Sequence, residues 1–221
     1  MNEQTPITTF GYAPSKLDGT EYELSVNGKS LALPRRFSYR EVMPSIYDQG
    51  TRPWCVAYAT KAIVTYKLNM KFRTCGKDYK ISENQIYDWR EDKTIDGMMP
   101  KTAMHQLKHV GLYSPVAKMT FFINRYFLIK DIYSMKYAIL FNSPILIGLP
   151  VKDSTQDEFW HGFKEEGGHA LVATGYDDER QEFEIRNSWG YGYGQNGYWN
   201  ISYDDMKENL LESWCISVYG K

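Results

Sequence analysis

A cysteine at the start of an apolar helix constrains this chain more than any other feature. Residues 49–59 read QGTRPWCVAYA, so a glutamine stands six residues before Cys55. Pro53 suits the first turn of a helix, because its missing N–H needs no partner there. Apolar residues dominate the positions that follow, with only a narrow polar stripe of lysines. This pattern predicts a buried helix from about residue 53 to residue 71.

The position of Cys55 in that helix has two interpretations. The positive end of the helix dipole and the unpaired N–H groups of the first turn both favour a thiolate over a thiol. Alternatively, Cys55 is a small buried hydrophobic residue, which is the commonest fate of a free cysteine. This stretch by itself does not decide between them.

Two glycine-rich blocks in the last third of the chain bear on the choice. Residues 167–176 read GGHALVATGY, and residues 187–198 read NSWGYGYGQNGY. With the glutamine and cysteine of the opening block, they resemble the papain-like cysteine peptidases. Weaker matches are LPRRFSYR at residues 33–40 and ISENQ at residues 81–85. The blocks follow the family order and cover roughly residues 33 to 219.

The resemblance implies an α+β fold of the papain-like type, with two lobes and a cleft between them. The helical lobe is expected at about residues 45–115. The antiparallel β-barrel lobe is expected at about residues 116–221, together with residues 33–44. Residues 1–32 would form an N-terminal extension, packed on the domain or acting as a small regulatory flap.

The resemblance also implies a role for each motif residue. Cys55 would attack as a thiolate, and His169 from the opposite lobe would hold the proton and hand it to the leaving nitrogen. Asn187 would orient the imidazole, and Trp189 would shield that contact from water. The side-chain amide of Gln49 and the backbone N–H of Cys55 would form the oxyanion hole. Taken singly, each of these residues could have a purely structural role. Their occurrence together in the family order favours the catalytic role.

Candidate substrate-binding residues depart from the family pattern in places. Trp54 stands before the nucleophile where relatives have a small residue, so it is expected to narrow the cleft. Gly97 and Met98 occupy the place of the paired glycines along which a substrate backbone lies, and Met98 should crowd that edge. Gly168 and Ala170 are small, which predicts a pocket for an apolar side chain.

Three classes of function fit this set of residues. The first is a hydrolase that cleaves peptide bonds through an acyl-enzyme, acting on a peptide or protein substrate without a cofactor. The second is a catalytically silent papain-like module that binds a partner in its cleft. The third is an acyl transferase or isopeptidase, which passes through the same acyl-enzyme and differs in its product.

Local patterns predict the remaining elements. Residues 21–26 are expected to form a hairpin with residues 31–33 across Asn27-Gly28. Capping and breaker signals predict helices at about residues 82–90, 100–111 and 131–142. Strands are predicted at residues 145–151, 170–176, 182–187, 198–202 and 214–218.

Composition limits the partners and the compartment. The formal charge of −1 gives no reason to expect nucleic acid or an anionic membrane as partner. The sequence has no apolar run of about 18 residues that would span a membrane, and its first residues do not resemble a secretory signal. The three cysteines are odd in number and far apart, and Arg52 occupies a position where secreted relatives carry a paired cysteine. These features favour a reducing compartment such as the cytoplasm.

A metal site is not expected. His105 and His109 lie at i and i+4 on a predicted helix, a spacing that suits zinc, but no nearby acid or cysteine provides a third ligand. A solvent-facing helix surface is the simpler interpretation.

Overall fold

The computed structural model of the protein describes residues 11–26, 31–94, 96–151 and 167–218. Helices dominate the first half of the chain and strands the second, as the α+β class predicted. The helices are α1 Cys55–Phe72, α2 Glu83–Tyr87, α3 Pro100–His109, α4 Ile132–Phe141 and α5 Tyr203–Asn209. The strands are β1 Arg36–Ser38, β2 Leu112–Ser114, β3 Met119–Phe121, β4 Arg125–Ile129, β5 Ile145–Pro150, β6 Gly168–Asp177, β7 Glu182–Arg186, β8 Tyr198–Ser202 and β9 Glu212–Ser217.

Seven of these strands form one antiparallel sheet, and β2 and β3 form a separate hairpin. The main pairing runs in the order β4-β9-β5-β6-β7-β8, and β1 pairs with β6 off this path. Among the described strands, no pairing joins β4 to β8, so hydrogen bonds do not close the sheet into a complete barrel. The long strand β6 lies at the centre, where it pairs with β5, β7 and β1.

The two faces of the sheet belong to different cores, because alternate side chains of a strand point to opposite faces. The face that carries Leu146, Ala170 and Trp214 packs with the apolar residues of α1, α2 and α3. The opposite face carries Ile147 and Leu171 and packs with α4 and α5. The helical lobe therefore rests on a single face of the sheet, and the boundary between the lobes runs along it.

Helix boundaries follow the local signals that predicted them. Ser82 caps α2 by accepting a hydrogen bond from the Gln85 N–H at 3.2 Å, although the helix ends earlier than predicted. Pro100 begins α3, and Gly111 follows it with a φ of +72°. His105 and His109 are both exposed, which agrees with a solvent-facing helix surface.

The predicted N-terminal hairpin is wrong. The Leu24 N–H donates to the Leu128 carbonyl, and the Leu128 N–H donates to the Tyr22 carbonyl, each at 2.9 Å. The segment therefore pairs with β4, while residues 31–33 form no strand and the Asn27-Gly28 turn lies outside the described residues. The physical reason is that β4 ends the sheet path and offers unpaired backbone groups to a neighbouring segment.

None of the helices in the described part of the chain has the length and apolar character needed to cross a membrane.

Candidate active site

Cys55 begins α1, where the sequence predicted it, at the boundary between the two lobes. Its side chain is fully buried. Burial raises the pKa of the thiol to about 12, and the backbone N–H groups of Ala170, Val56 and Cys55 itself oppose this by hydrogen bonding to the sulfur. In the arrangement seen here, burial therefore opposes the ionisation that the helix terminus favours. The contact with Ala170 brings Cys55 next to the residue that follows His169.

His169 and Asn187 form a buried pair on β6 and just after β7. His169 Nε2 lies 2.7 Å from Asn187 Oδ1. The Ser188 backbone N–H, which can only donate, also bonds to this oxygen at 2.7 Å. This second bond fixes which atom of the amide faces the ring, so Nε2–H must be the donor to Oδ1. In the neutral imidazole, Nδ1 is then the nitrogen able to accept a proton.

Trp189 covers this pair. Its ring stacks on His169 with centroids 4.6 Å apart and an interplanar angle of 27°, and it is itself buried. Trp199 meets Trp189 edge-on at 5.8 Å, which holds the indole in place. The tryptophan thus lies where the sequence analysis expected a shield between the imidazole and water.

A loop crossing the sheet edge positions Gln49. The Gln49 N–H donates to the Ser188 carbonyl at 2.8 Å, and the Ser188 hydroxyl donates to Gln49 Oε1 at 2.7 Å. Gln49 Nε2 donates to the Arg52 carbonyl at 2.9 Å. These bonds fix the orientation of the buried amide and place it in the turn that leads to Cys55. Arg186 anchors the preceding loop by donating to the carbonyls of Pro44 and Ser45 at 2.8 and 2.6 Å.

A short N-terminal segment, residues 11–15, lies across the cleft between the lobes; we call it the strap. On the helical lobe, the Ala13 N–H donates to the Met98 carbonyl at 3.1 Å, and the Met98 N–H donates to the Gly11 carbonyl at 3.0 Å. On the sheet side, Tyr12 forms an antiparallel bridge with Gly168. The strap therefore pairs with both walls of the cleft at once, as an extended peptide would.

Gly11 allows the strap to approach the helical lobe closely, because a Cβ built there would overlap Pro53, two residues before Cys55. A Cβ built at Gly97 would lie 3.4 Å from the Gly11 carbonyl carbon, an ordinary contact distance. Met98 presents its backbone to the strap while its side chain is buried in the core that the helical lobe shares with the sheet. The effect of Met98 on selectivity stays a prediction.

The Tyr12 ring fills a pocket in the sheet-side wall. A Cβ built at Gly168 would lie 2.1 Å from Tyr12 Cδ1, and one at Gly148 would lie 2.5 Å from Tyr12 Cε2. The Tyr12 hydroxyl donates to Glu212 Oε1 at 2.7 Å. Gly168 lines the pocket as predicted, and Ala170 pairs with Gly148 across β6 and β5 on the same face. The pocket ends in a carboxylate, a group that the prediction of a pocket for an apolar side chain did not include.

Trp54 lies at the N-terminal boundary of α1 and packs into the helical lobe. Its ring is 5.1 Å from that of Tyr87, and the Arg52 guanidinium lies over it at 5.0 Å. These contacts hold the indole against neighbours of its own lobe. Whether it limits substrate access stays a prediction.

Three residues of the cleft were missed from the sequence, namely Tyr12, Gly148 and Glu212. Only Gly148 carried a local signal, because a glycine inside an apolar strand often marks a close approach. Tyr12 and Glu212 lie 200 positions apart along the chain, and no short-range pattern connects them.

Comparison with known proteins agrees with the motifs and the fold. Residues 121–218 match the model of the papain family cysteine proteases, a span that contains His169 and Asn187 but not Cys55. An uncharacterized peptidase C1-like protein of Acanthamoeba polyphaga mimivirus is 35% identical over 94 residues, covering 37% of this chain and 30% of the relative. The viral cathepsin of Mamestra configurata nucleopolyhedrovirus is 27% identical over 197 residues, covering 76% of this chain and 57% of the relative. The chain thus spans about a third to just over half of the curated relatives that it matches.

Solved structures show the same fold. Xylellain, a cysteine protease from Xylella fastidiosa, superposes with a TM-score of 0.80 at 22% identity, over 100% of both chains. Digestive procathepsin L2 proteinase from the larval midgut of Tenebrio molitor gives a TM-score of 0.78 at 16% identity, over 96% of this chain and 78% of that one. The resemblance stated from the motifs is confirmed: the fold is that of the papain-like cysteine proteases, and the second half of the chain matches the papain family cysteine proteases in sequence.

Proposed function

We propose that this chain is a cysteine-type hydrolase that cleaves peptide bonds through Cys55, His169 and Asn187. The observation that carries the proposal is the oriented His169–Asn187 pair, in which Asn187 Oδ1 accepts from both Ser188 and the imidazole. This arrangement assigns the stationary proton to Nε2 and reserves Nδ1 for proton exchange. Cys55 is held beside the same strand by its contact with the Ala170 N–H.

In the proposed reaction, the Cys55 thiol gives its proton to His169 Nδ1, and the sulfur attacks the substrate carbonyl carbon. The developing oxyanion accepts hydrogen bonds from the Cys55 N–H and from Gln49 Nε2. The N–H of a first helical residue has no partner within its helix. Of the two hydrogens on the Gln49 amide nitrogen, one is used by the Arg52 carbonyl, so a second remains for the oxyanion.

The remaining steps complete a two-stage transfer. His169 returns its proton to the leaving amine, the carbon–nitrogen bond breaks, and a thioester to Cys55 remains. Water then gives a proton to His169 and attacks the thioester, so that the carboxylic acid leaves and Cys55 regains its proton. Asn187 and Trp189 keep the imidazole in one orientation through both stages, since its Nε2–H stays bonded to Asn187 throughout.

The strap is the reason to propose a peptide as the substrate. It already lies in the cleft as an extended chain, and its backbone pairs with Met98 and Gly168 on the two walls. Cys55 is fully buried while the strap lies against Pro53, so we take the arrangement described here as a closed form of the proposed enzyme. Turnover requires the strap to move.

The test combines covalent labelling with product analysis. A short peptide carrying a thiol-reactive warhead is expected to modify Cys55, and His169→Ala should slow this labelling strongly. Hydrolysis of a peptide should fall by about 100-fold to 10,000-fold in His169→Ala, and by about tenfold or more in Asn187→Ala. Cys75→Ala is the matched control, because Cys75 is exposed and its thiol donates to the Glu41 carbonyl, a residue that has no part in the proposed site.

The products distinguish the remaining classes of function. A free acid as the product supports hydrolysis, and a new amide formed with an added amine indicates acyl transfer. If Cys55 is labelled no faster than Cys75 even when the strap is loosened, the chain is a binding module and the proposal is wrong.

A further inference from the structure

A second cavity lies at the other end of α1 from Cys55. Lys67 is about three helical turns beyond Cys55, or roughly 18 Å along the helix axis. The cavity has a volume of about 460 Å³, and small-molecule sites typically have about 300–1,000 Å³. The last turns of α1 line it with Lys67, Met70 and Lys71, and β3 and Phe122 line it as well. The cavity is therefore separate from the candidate active site.

The lining of this cavity is mostly apolar. Tyr66 and Phe121 are buried, whereas Met70 is 42% exposed and Phe122 is 49% exposed. Exposed apolar side chains that line a concave site provide a surface that the apolar part of a ligand can cover. The shape and the lining together favour a ligand with a hydrocarbon body.

Lys67 brings a cation to these apolar walls without a carboxylate partner. Its ammonium donates to the Asn142 carbonyl at the C-terminal end of α4. An ammonium has three donors, and in the part of the chain that the structure describes no carboxylate forms an ion pair with this one. By contrast, the partly buried Lys61, Lys101 and Lys136 each pair with a carboxylate at 2.6 or 2.7 Å.

The surroundings of Lys67 disfavour its charge. Burial lowers the pKa of Lys67 to about 8, and only the neighbouring Cys215 opposes this shift. A negative group next to the ammonium would stabilise the charged form. Lys71 lies one turn later on the same face of α1 and lines the same cavity, so a second cation is within reach of such a group.

From this geometry we propose that the cavity binds an amphipathic carboxylate, namely an aliphatic chain whose carboxylate pairs with Lys67. The chain lies against Met70 and Phe122, and Lys71 adds a second positive charge near the carboxylate. A neutral chain would bury the ammonium further without a partner, and a small hydrophilic anion would leave the apolar walls uncovered. The inference is independent of the proposed function, since Cys55 takes no part in it.

Isothermal titration calorimetry with octanoate, hexanoate and octan-1-ol tests both halves of this ligand. Octanoate is expected to bind about 10-fold to 100-fold more tightly than octan-1-ol, because only the carboxylate accepts a charged hydrogen bond. It should bind about 10-fold more tightly than hexanoate, because each additional buried methylene contributes a factor of about four.

Lys67→Met keeps the apolar stem of the side chain and removes the ammonium. In this variant the preference for octanoate over octan-1-ol should fall by about tenfold or more. Lys207→Met is the matched control, because Lys207 is exposed on α5, which packs on the opposite face of the sheet. It should keep the original preference. Equal binding of octanoate and octan-1-ol to the unmodified chain, or an unchanged preference in Lys67→Met, overturns the proposal.

Photo-crosslinking then locates the ligand. An aliphatic carboxylate with a diazirine at its far end should label Met70 or Phe122, and an excess of octanoate should prevent this labelling. Crosslinks confined to other parts of the chain overturn the assignment. Binding to vesicles that contain phosphatidylserine, without binding of free octanoate, also overturns it and indicates a membrane-docking surface. Cys55→Ala should bind octanoate with unchanged affinity, so the proposed peptidase function can fail while this inference holds, and the reverse.

Discussion

Replacing Tyr12 with phenylalanine isolates one hydrogen bond that holds the strap in the cleft. The substitution keeps the ring that fits between Gly148 and Gly168 and removes the hydroxyl that donates to Glu212. Burial and the neighbouring carboxylate both raise the pKa of Tyr12, so the phenol is a neutral donor at any ordinary pH. The variant therefore changes the number of donors to Glu212 and leaves the charge of the strap unchanged.

The expected magnitude follows from the charge of the acceptor. A hydrogen bond to a charged group contributes about 1.5–3 kcal/mol net of its exchange with water. Each factor of ten in an equilibrium corresponds to about 1.4 kcal/mol, so the open fraction of the strap should rise by about 10-fold to 100-fold. Cys55 is fully buried in the closed form. Its labelling rate should increase in proportion, provided that the strap closes faster than the reagent reacts.

The assay follows iodoacetamide labelling of each cysteine by mass spectrometry. Cys75 is exposed and serves as the internal reference, because its rate should not depend on the strap. Tyr113→Phe is the matched control, since Tyr113 is half exposed on the separate β2–β3 hairpin. A change of less than about twofold in the Cys55 rate of Tyr12→Phe would refute the role given to this hydrogen bond, because the smallest expected effect is about tenfold.

Two further predictions concern the strap. Gly148→Ala should accelerate labelling of Cys55 by about tenfold or more, because the new methyl group would overlap the Tyr12 ring. The control is Gly192→Ala, which should have no effect because no heavy atom lies within 4 Å of the added Cβ. The second prediction concerns an ion pair that ties the chain beyond the strap to α3. Lys101 Nζ lies 2.6 Å from Glu21 Oε1. The hydrogen bond from Lys101 lowers the pKa of Glu21 below its ordinary value of 4.5. A lowered carboxyl pKa stabilises the tethered form above pH 4.5, and this contribution is lost as the pH falls further. The labelling rate of Cys55, divided by the rate in a reference chain that lacks the strap, should therefore rise about twofold to threefold on acidification. Lys101→Met should abolish that rise. An unchanged pH response in Lys101→Met would contradict the tether.

The sequence predicted where the candidate residues Cys55, His169 and Asn187 lie better than it predicted the shape of the cleft, and the reason is physical. The motifs around Cys55, His169 and Asn187 are short, and each lies at the start or end of a single element, so local patterns specify them. Helix α5 was missed although Ser202 caps it by accepting from the Asp205 N–H at 3.0 Å, a signature that is visible in the sequence. That omission could have been avoided.

Other features depend on contacts that no local pattern contains. Asn27-Gly28 is a strong turn signal, yet the preceding residues pair with β4, because the vacant end of the sheet competes with a hairpin partner. Tyr12 meets Glu212 only after the N-terminal segment has crossed the cleft. A pocket that looked apolar from Gly168 and Ala170 therefore ends in a charge supplied by the last strand.

Burial is the largest cause of the raised pKa of Cys55, and the same burial makes the thiol inaccessible in this structure. Burial raises the thiol pKa to about 12, so the closed form is favoured while the thiol is protonated and loses that advantage as the pH rises. When the strap leaves, water reaches the sulfur, the desolvation penalty decreases, and the N–H groups of Ala170 and Val56 remain to stabilise the thiolate. The pH at which Cys55 labelling reaches half of its maximum should therefore fall well below 12 in Gly148→Ala, and the same curve recorded for Gly192→Ala should match the unmodified chain. If the labelling midpoint of Gly148→Ala stays near 12 although its cleft has opened, then the helix terminus and His169 do not activate the thiol. In that case the strap covers the cleft of a catalytically silent peptide-binding module.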